Sequence, residues 1–209
     1  VATYQGAIYT GWNSGPWYAT AFAGFGVNAF GTTRELAALG LPGSATSSPN
    51  GQSYASYAET GYRFSQQGFA ITPYVGAGYI HAHIDGFTET GGFGALAVNS
   101  ANTSSFQTTL GVRATSRIAT ASGTLIPEVR LGWSHEFLDA SQKITASLVG
   151  VPGSGFTSTG ILFGRDAALV GAGLSFEMTP DAKVFVDYDG RLGSRLDEHS
   201  VSGGLKVRF

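Results

Sequence analysis

The sequence predicts an all-β fold, an antiparallel transmembrane β-barrel of about nine strands, and three observations carry that prediction. Apolar and polar residues alternate with period two along most of the chain, the pattern of strands with one apolar face. The connections between these alternating segments are short, then long, then short again, as in barrels that cross a membrane. The composition fits as well: 31 Gly, 14 Phe and 9 Tyr in 209 residues, with charged residues at 12%, about half the ~25% usual in a soluble domain. No run approaches the roughly 18 apolar residues of a spanning helix.

The same arithmetic excludes other classes. A formal net charge of −2 and a pI near 6.1 argue against a nucleic-acid partner. The absence of Cys removes disulfides, Cys-ligated metals and Cys nucleophiles. Too many aromatics and too few charges remain for a disordered chain. The first residues carry no charged segment followed by an apolar one, so no secretory leader is read there.

Taken in order, strands are expected at about 2–12, 16–31, 52–64, 69–84, 104–118, 124–138, 165–178, 181–190 and 198–209. The last is the clearest: Val201, Gly203, Leu205, Val207 and Phe209 share one face, and Ser200, Ser202, Gly204, Lys206 and Arg208 the other. Val184, Val186 and Tyr188 alternate with Lys183, Phe185, Asp187 and Asp189. Pro73 and Pro127 fall near strand starts, where a missing donor costs least. The polar face is also small, with Gly61, Gly76, Gly78, Gly111, Gly132, Gly171 and Gly173 on it, which is expected to leave a lumen open. Short connections fall at Asn13–Gly15, Ser65–Gly68, Ala119–Gly123 and Thr179–Asp181. Long ones fall at 32–51, 85–103 and 139–164, with a modest one at 191–197. Within the first long loop, Thr33–Leu39 could make a short helix but is too short to be stable alone.

Candidate functional residues follow from this frame. Glu59, Arg63, Arg113, Glu128, Arg130, Glu177, Asp187, Asp189, Lys206 and Arg208 lie on the polar face and are expected to line the lumen, because charge inside a membrane has to be paired or wetted. Carboxylate pairs of this kind also serve acid–base catalysis, but pore lining is the expected role, and no Gly-x-Ser-x-Gly elbow is present. Tyr9, Trp12, Trp17, Tyr54, Tyr62, Phe64, Tyr79, Trp133, Phe137, Tyr188 and Phe209 cluster near turns and are expected to form girdles at the two membrane surfaces. His81 and His83 share a face, but no third ligand is evident although Asp85 falls on that face too, so they are placed at the membrane boundary rather than on a metal. Gly24-Phe25-Gly26-Val27-Asn28-Ala29 matches a dinucleotide pattern formally, yet it lies inside an alternating strand, whereas that motif needs a helix opening at the glycines. No cofactor, metal or catalytic set is expected.

Counting strands gives a sharper expectation. The last strand runs from the long-loop side to the short-turn side, so nine strands place the first residue on the long-loop side. Bacterial single-chain barrels have even strand numbers, and an open edge in lipid leaves backbone groups unpaired. The first and last strands are therefore expected not to pair with each other, with further strands supplied upstream or by another chain.

The residues also resemble a known family, the C-terminal translocator β-domain of bacterial autotransporters (type V secretion). The resemblance runs through Pro73-Tyr74, Asp85-Gly86-Phe87-Thr88-Glu89-Thr90-Gly91-Gly92, Leu110-Gly111-Val112-Arg113 and Pro127. It continues through Gly132-Trp133-Ser134-His135-Glu136-Phe137, the run Gly164–Leu174 and Tyr188-Asp189-Gly190. It implies a non-enzymatic outer-membrane pore and anchor for an upstream, covalently linked passenger, with no cofactor. It also implies a twelve-stranded barrel around a pore helix, of which residues 1–209 would hold strands 4–12 without the helix and first three strands. Ser202-x-Gly204-x-x-Val207-x-Phe209 is similar to the β-signal read by the outer-membrane barrel-assembly machinery. The alternative is a stand-alone porin or adhesin-like barrel whose long loops bind ligands.

Overall fold

The computed structural model describes residues 1–37, 40, 43–92, 94–138, 143–160 and 164–208. Nine long strands form one curved antiparallel sheet: β1 Ala2–Ser14, β2 Trp17–Ala29, β3 Asn50–Tyr62, β4 Phe69–Ile84, β5 Ala101–Ser116, β6 Gly123–Glu136, β7 Asp166–Thr179, β8 Ala182–Gly193 and β9 Asp197–Val207. They pair in chain order. The shortest has 11 residues and the longest 16, enough for the roughly 9–11 that a tilted strand needs to cross a bilayer. All nine expected strands are present. The main differences are at β5, which starts at Ala101, and at β8, which runs on to Gly193.

β1 pairs only with β2, and β9 only with β8, among the described residues. The two outer edges of the sheet do not meet, as the strand count requires. On the short-turn side the chain reverses tightly. Phe64–Gln66 folds back on the start of β4, with Gln66 opposite Phe69. Only Gln67 and Gly68 remain to make the reversal, at φ +49° and +82°. Two successive left-handed residues make the type I′ turn whose twist matches a hairpin.

The two faces of the sheet differ in kind. On one face, side chains of strands that are not neighbours meet. Arg130 of β6 reaches Asp189 of β8 across β7, and Arg191 of β8 reaches Gln107 of β5 across two strands. Such contacts are possible only where curvature brings strands together, so this face is concave. The opposite, convex face carries the apolar rows, and they are bare: Leu110 is 60% exposed, Leu131 54% and Leu205 63%. A band of this extent is not left to water in a monomeric soluble protein.

The long connections hold structure that the sequence reading treats as loop. Thr32–Glu35 pairs with Ser44–Ser47 as a hairpin. A four-stranded sheet runs in the order Phe156–Thr159, Lys143–Leu148, Leu96–Val98, Phe87–Thr88. Thr33–Leu39, too short to hold a helix alone, is strand up to Glu35; Ala38 and Leu39 lie outside the described residues. A run that short cannot meet the cost of helix nucleation alone, and pairing with Ser44–Ser47 satisfies its backbone groups instead. None of these pieces joins the nine-stranded wall. Together they form a cap with its own small core of Leu36, Ala45, Ala95 and Ala146, all nearly fully buried.

The cap contains a buried carboxylate. Glu89 pairs with the Arg34 guanidinium through both oxygens, and its Oε2 also accepts the Leu96 N–H at 2.9 Å. The Arg34 contact, aided by the Leu96 amide, outweighs burial and holds the Glu89 carboxyl below the usual carboxylate range. A lowered value means the pair contributes its full stability above the unfolded-chain value and loses it as pH falls through the folded one. Protection of the Leu96 and Thr90 amides, measured against their intrinsic exchange rates, should therefore fall in acid. In a Glu89→Gln variant protection should be lower at neutral pH and lose that acid step; an unchanged acid step there would remove Glu89 as its source.

Candidate functional site

The concave face places side chains by alternation alone, and their chemistry follows from the register. Glu59 of β3 lies near the middle of the wall. Its Oε1 accepts the Tyr18 hydroxyl at 2.6 Å and its Oε2 the Tyr57 hydroxyl at 2.7 Å. Arg113 of β5 lies between two acids, 3.7 Å from Glu59 and 3.5 Å from Glu128, with its guanidinium 5.2 Å from the centre of the Tyr74 ring. Arg130 of β6 donates to Glu128 at 2.5 Å, Asp187 at 3.2 Å and Asp189 at 2.9 Å. The result is a continuous belt from β2 to β8. It sets four carboxylates (Glu59, Glu128, Asp187, Asp189) against two guanidiniums (Arg113, Arg130), so its acids outnumber its bases. Charge-assisted bonds of this kind are about twice as strong as neutral ones.

Glycines make room for the belt. Arg130 is opposite Gly171, and Asp187 is opposite Gly173; a Cβ at either glycine would strike the charged group beside it. The aromatic rings are seated the same way, Tyr18 over Gly61, Tyr57 over Gly76 and Tyr74 over Gly111. The small inner residues therefore do more than leave a lumen open. They seat the rings and charges that line it, which corrects the simpler reading of the glycines.

Six of the ten expected lumen residues meet in the belt: Glu59, Arg113, Glu128, Arg130, Asp187 and Asp189. The other four lie toward the short-turn end. Glu177 pairs there with Arg117 at 2.5 Å. Lys206 is exposed opposite Lys183. Arg63 and Arg208 are exposed past the ends of β3 and β9, their backbone N–H groups donating to Pro16 and Asp181. Residues absent from the expected set also line the wall, namely Tyr18, Tyr57, Tyr74, Gln107, Arg191 and Glu198. Arg191 donates to Gln107 at 2.9 Å and lies 3.8 Å from Glu198. Arg191 and Glu198, with Tyr74, Arg130 and Asp189, border an inner-wall cavity of about 320 Å³. Glu198 already lies on the polar face of the strand expected at 198–209, and one further residue on the strand expected at 181–190 would have added Arg191.

On the convex face, aromatic rings gather at both ends. Trp17 meets Tyr62 edge-on at 5.0 Å, and Tyr62 meets Phe64 at 4.6 Å, on the short-turn side. Phe25–Tyr54 and Phe106–Phe137 contact each other on the long-loop side. Tyr9 does not belong to a girdle: it is opposite Phe22, on the row of Tyr18 and so on the concave face. His81 and His83 lie on the convex face with different partners. His81 Nδ1 contacts Ser104 Oγ at 2.8 Å, and His83 Nε2 contacts Asp85 Oδ1 at 3.1 Å. Gly24–Ala29 is strand throughout, part of β2. Ser202, Gly204 and Val207 lie in β9; Phe209 is outside the described residues.

Long antiparallel strands, apolar outside, charge-belted inside and ringed with aromatics at both ends, define a transmembrane β-barrel wall. Within that class the chain belongs to the autotransporter β-domain family, whose sequence model matches residues 1–189. The β-domains of this family are translocators of type V secretion. The chain is 28% identical over 153 residues to an extracellular serine protease of Serratia marcescens, covering 73% of this chain and 14% of the protease. It is 26% identical over 211 residues to the esterase EstA of Pseudomonas aeruginosa, covering 99% of this chain and 32% of the esterase. It thus spans about a third or less of the curated relatives it matches. The β-domain of the Bordetella autotransporter BrkA is a solved structure that aligns over 99% of this chain and 90% of its own, at 12% identity and a TM-score of 0.38.

Proposed function

We propose that this chain is the membrane-embedded translocator and anchor of a secreted protein, seated in the bacterial outer membrane and joined upstream to a passenger. The observation that carries the reading is the concave belt. Paired charge on the inner wall of a lipid-facing sheet is needed where a wet or polypeptide-filled lumen has to be kept. Its surplus of carboxylates suits a pore segment that brings basic side chains to the level of Glu59 and Asp187. Upstream strands complete the barrel by pairing with the free edges of β1 and β9. No residue of the belt is assigned a catalytic role. An epitope joined to the passenger of the full-length chain should be cut by protease added to intact cells; an epitope that stays protected in cells holding the folded barrel would overturn the reading.

Ser202, Gly204, Val207 and Phe209 are the proposed β-signal for the barrel-assembly machinery. β9 offers a free edge for strand addition, the usual means of reading an extended segment. One aromatic contributes only about 1.5–3 kcal/mol by burial, so Phe209 matters more for assembly than for the finished barrel. Deleting it should lower the amount of barrel in the outer membrane while the barrels that form remain heat-resistant. Unchanged insertion kinetics would remove the signal assignment.

A further inference from the structure

The three long connections are each tethered to a different hairpin of the wall, to β2 and β3, to β4 and β5, and to β6 and β7, yet they are bonded to one another. The joints are unequal. The second and third connections share a ladder in which Leu96–Val98 pair with Ala146–Leu148. Two further backbone bonds, Asn99 N–H to Thr145 O and Val149 N–H to Ala95 O, extend that ladder at 2.9 Å each. The first and second connections share a shorter stretch of backbone pairing, a single bridge among the described residues. Thr46 and Thr90 exchange one pair of backbone bonds, 2.8 and 2.9 Å long. The Arg34–Glu89 pair lies beside them, with Arg34 also donating to Gly94 O at 2.8 Å. The backbones come close enough here that a Cβ at Gly91, φ +104°, would lie 2.7 Å from Ser44 O.

We propose that this seam is the exit gate of the translocator and that Arg34–Glu89 is its latch, closed in the structure and parted when a polypeptide leaves the barrel. The inference rests on the translocator reading above. Connections bonded to one another pass a chain between them only if a joint opens, and a joint with a single backbone bridge, held otherwise by one side-chain pair, can open locally without unzipping a ladder. The ladder between the second and third connections keeps those two together as one half of the gate. The first connection, with Leu36 as its buried foot, swings as the other half.

Thr46 and Thr90 allow a clean test, because the chain has no cysteine. They form a mutually bonded antiparallel pair, about 5.5 Å apart at Cα in such ladders, within the span of a disulfide. In the full-length T46C/T90C variant, oxidation should abolish protease-accessible passenger at the cell surface, and reductant should restore it. Each single-cysteine variant should behave as the wild type. Surface passenger at the wild-type level from a folded, fully cross-linked barrel would overturn the gate. A wild-type protein that exposes no passenger would strike the translocator reading instead. If the cross-linked chain fails to insert, Glu89→Gln decides: it should admit a large antibiotic that the wild-type barrel excludes, and unchanged exclusion overturns the latch.

Discussion

Arg130→Gln should destabilise the folded barrel by about 3–5 kcal/mol, the range for removing one partner of a largely buried ion pair. Among the described residues Arg130 is the one cation that touches Glu128, Asp187 and Asp189 at once, and only 19% of its side chain is exposed. Without it, three carboxylates face each other across β6, β7 and β8, and Arg113, 3.5 Å from Glu128, can compensate only one of them. Glu128→Gln is the matched control. It removes one charge but keeps an amide oxygen as acceptor and leaves Arg130 its two Asp partners, so the loss should be smaller, about 1 kcal/mol. Urea midpoints for the two variants in the same detergent or bilayer give the comparison. Equal losses would mean that water, rather than Arg130, compensates the carboxylates.

The wall was legible because period two depends on local sequence alone. Val184, Val186 and Tyr188 against Asp187 and Asp189 give β8 its two faces without reference to any other strand. The belt was half legible for the same reason: alternation puts Glu128, Arg130 and Asp187 inside, but does not say that Arg130 lies level with Asp189 on a strand two away. That depends on register, which a tight turn would fix, but β6 and β7 are joined by a long connection and alternation alone sets register only to within steps of two residues. The glycines show the limit most clearly. Gly76 and Gly111 read as small and inward, yet their partners Tyr57 and Tyr74 sit on neighbouring strands, and only the pairing brings ring and glycine together.

The cap escaped the sequence reading for a different reason. Its strands are two to six residues long, too short for alternation to stand out from chance, and they pair between connections far apart in the chain. Arg34 and Glu89 are 55 residues apart. Thr33–Leu39 shows the hazard in detail: Glu, Leu and Ala favour a helix locally, whereas the hairpin with Ser44–Ser47 and the Arg34 pair are tertiary terms that override a weak local preference.

Val186→Arg should cost about 2–4 kcal/mol, the penalty for a cation on the lipid face at mid-membrane. Val186 is near the middle of β8 on the convex face, between Leu174 of β7 and Gly203 of β9, and is 49% exposed. If the bare apolar face lies in lipid, the penalty follows depth. Val207 lies on the same face at the short-turn end, opposite Ala182, and there the same change should cost only about 0–1 kcal/mol. Asp187, one residue away but inward, provides the contrast between faces. Asp187→Asn weakens one of Arg130's three charged contacts while a polar acceptor stays in place, so the loss should be about 1 kcal/mol. The expected order of destabilisation is Val186→Arg first, with Asp187→Asn and Val207→Arg well below it. If arginine at 186 cost no more than arginine at 207, the convex face would not be reading membrane depth. If Asp187→Asn exceeded Val186→Arg, the two faces of β8 would have to be exchanged, and the belt with them.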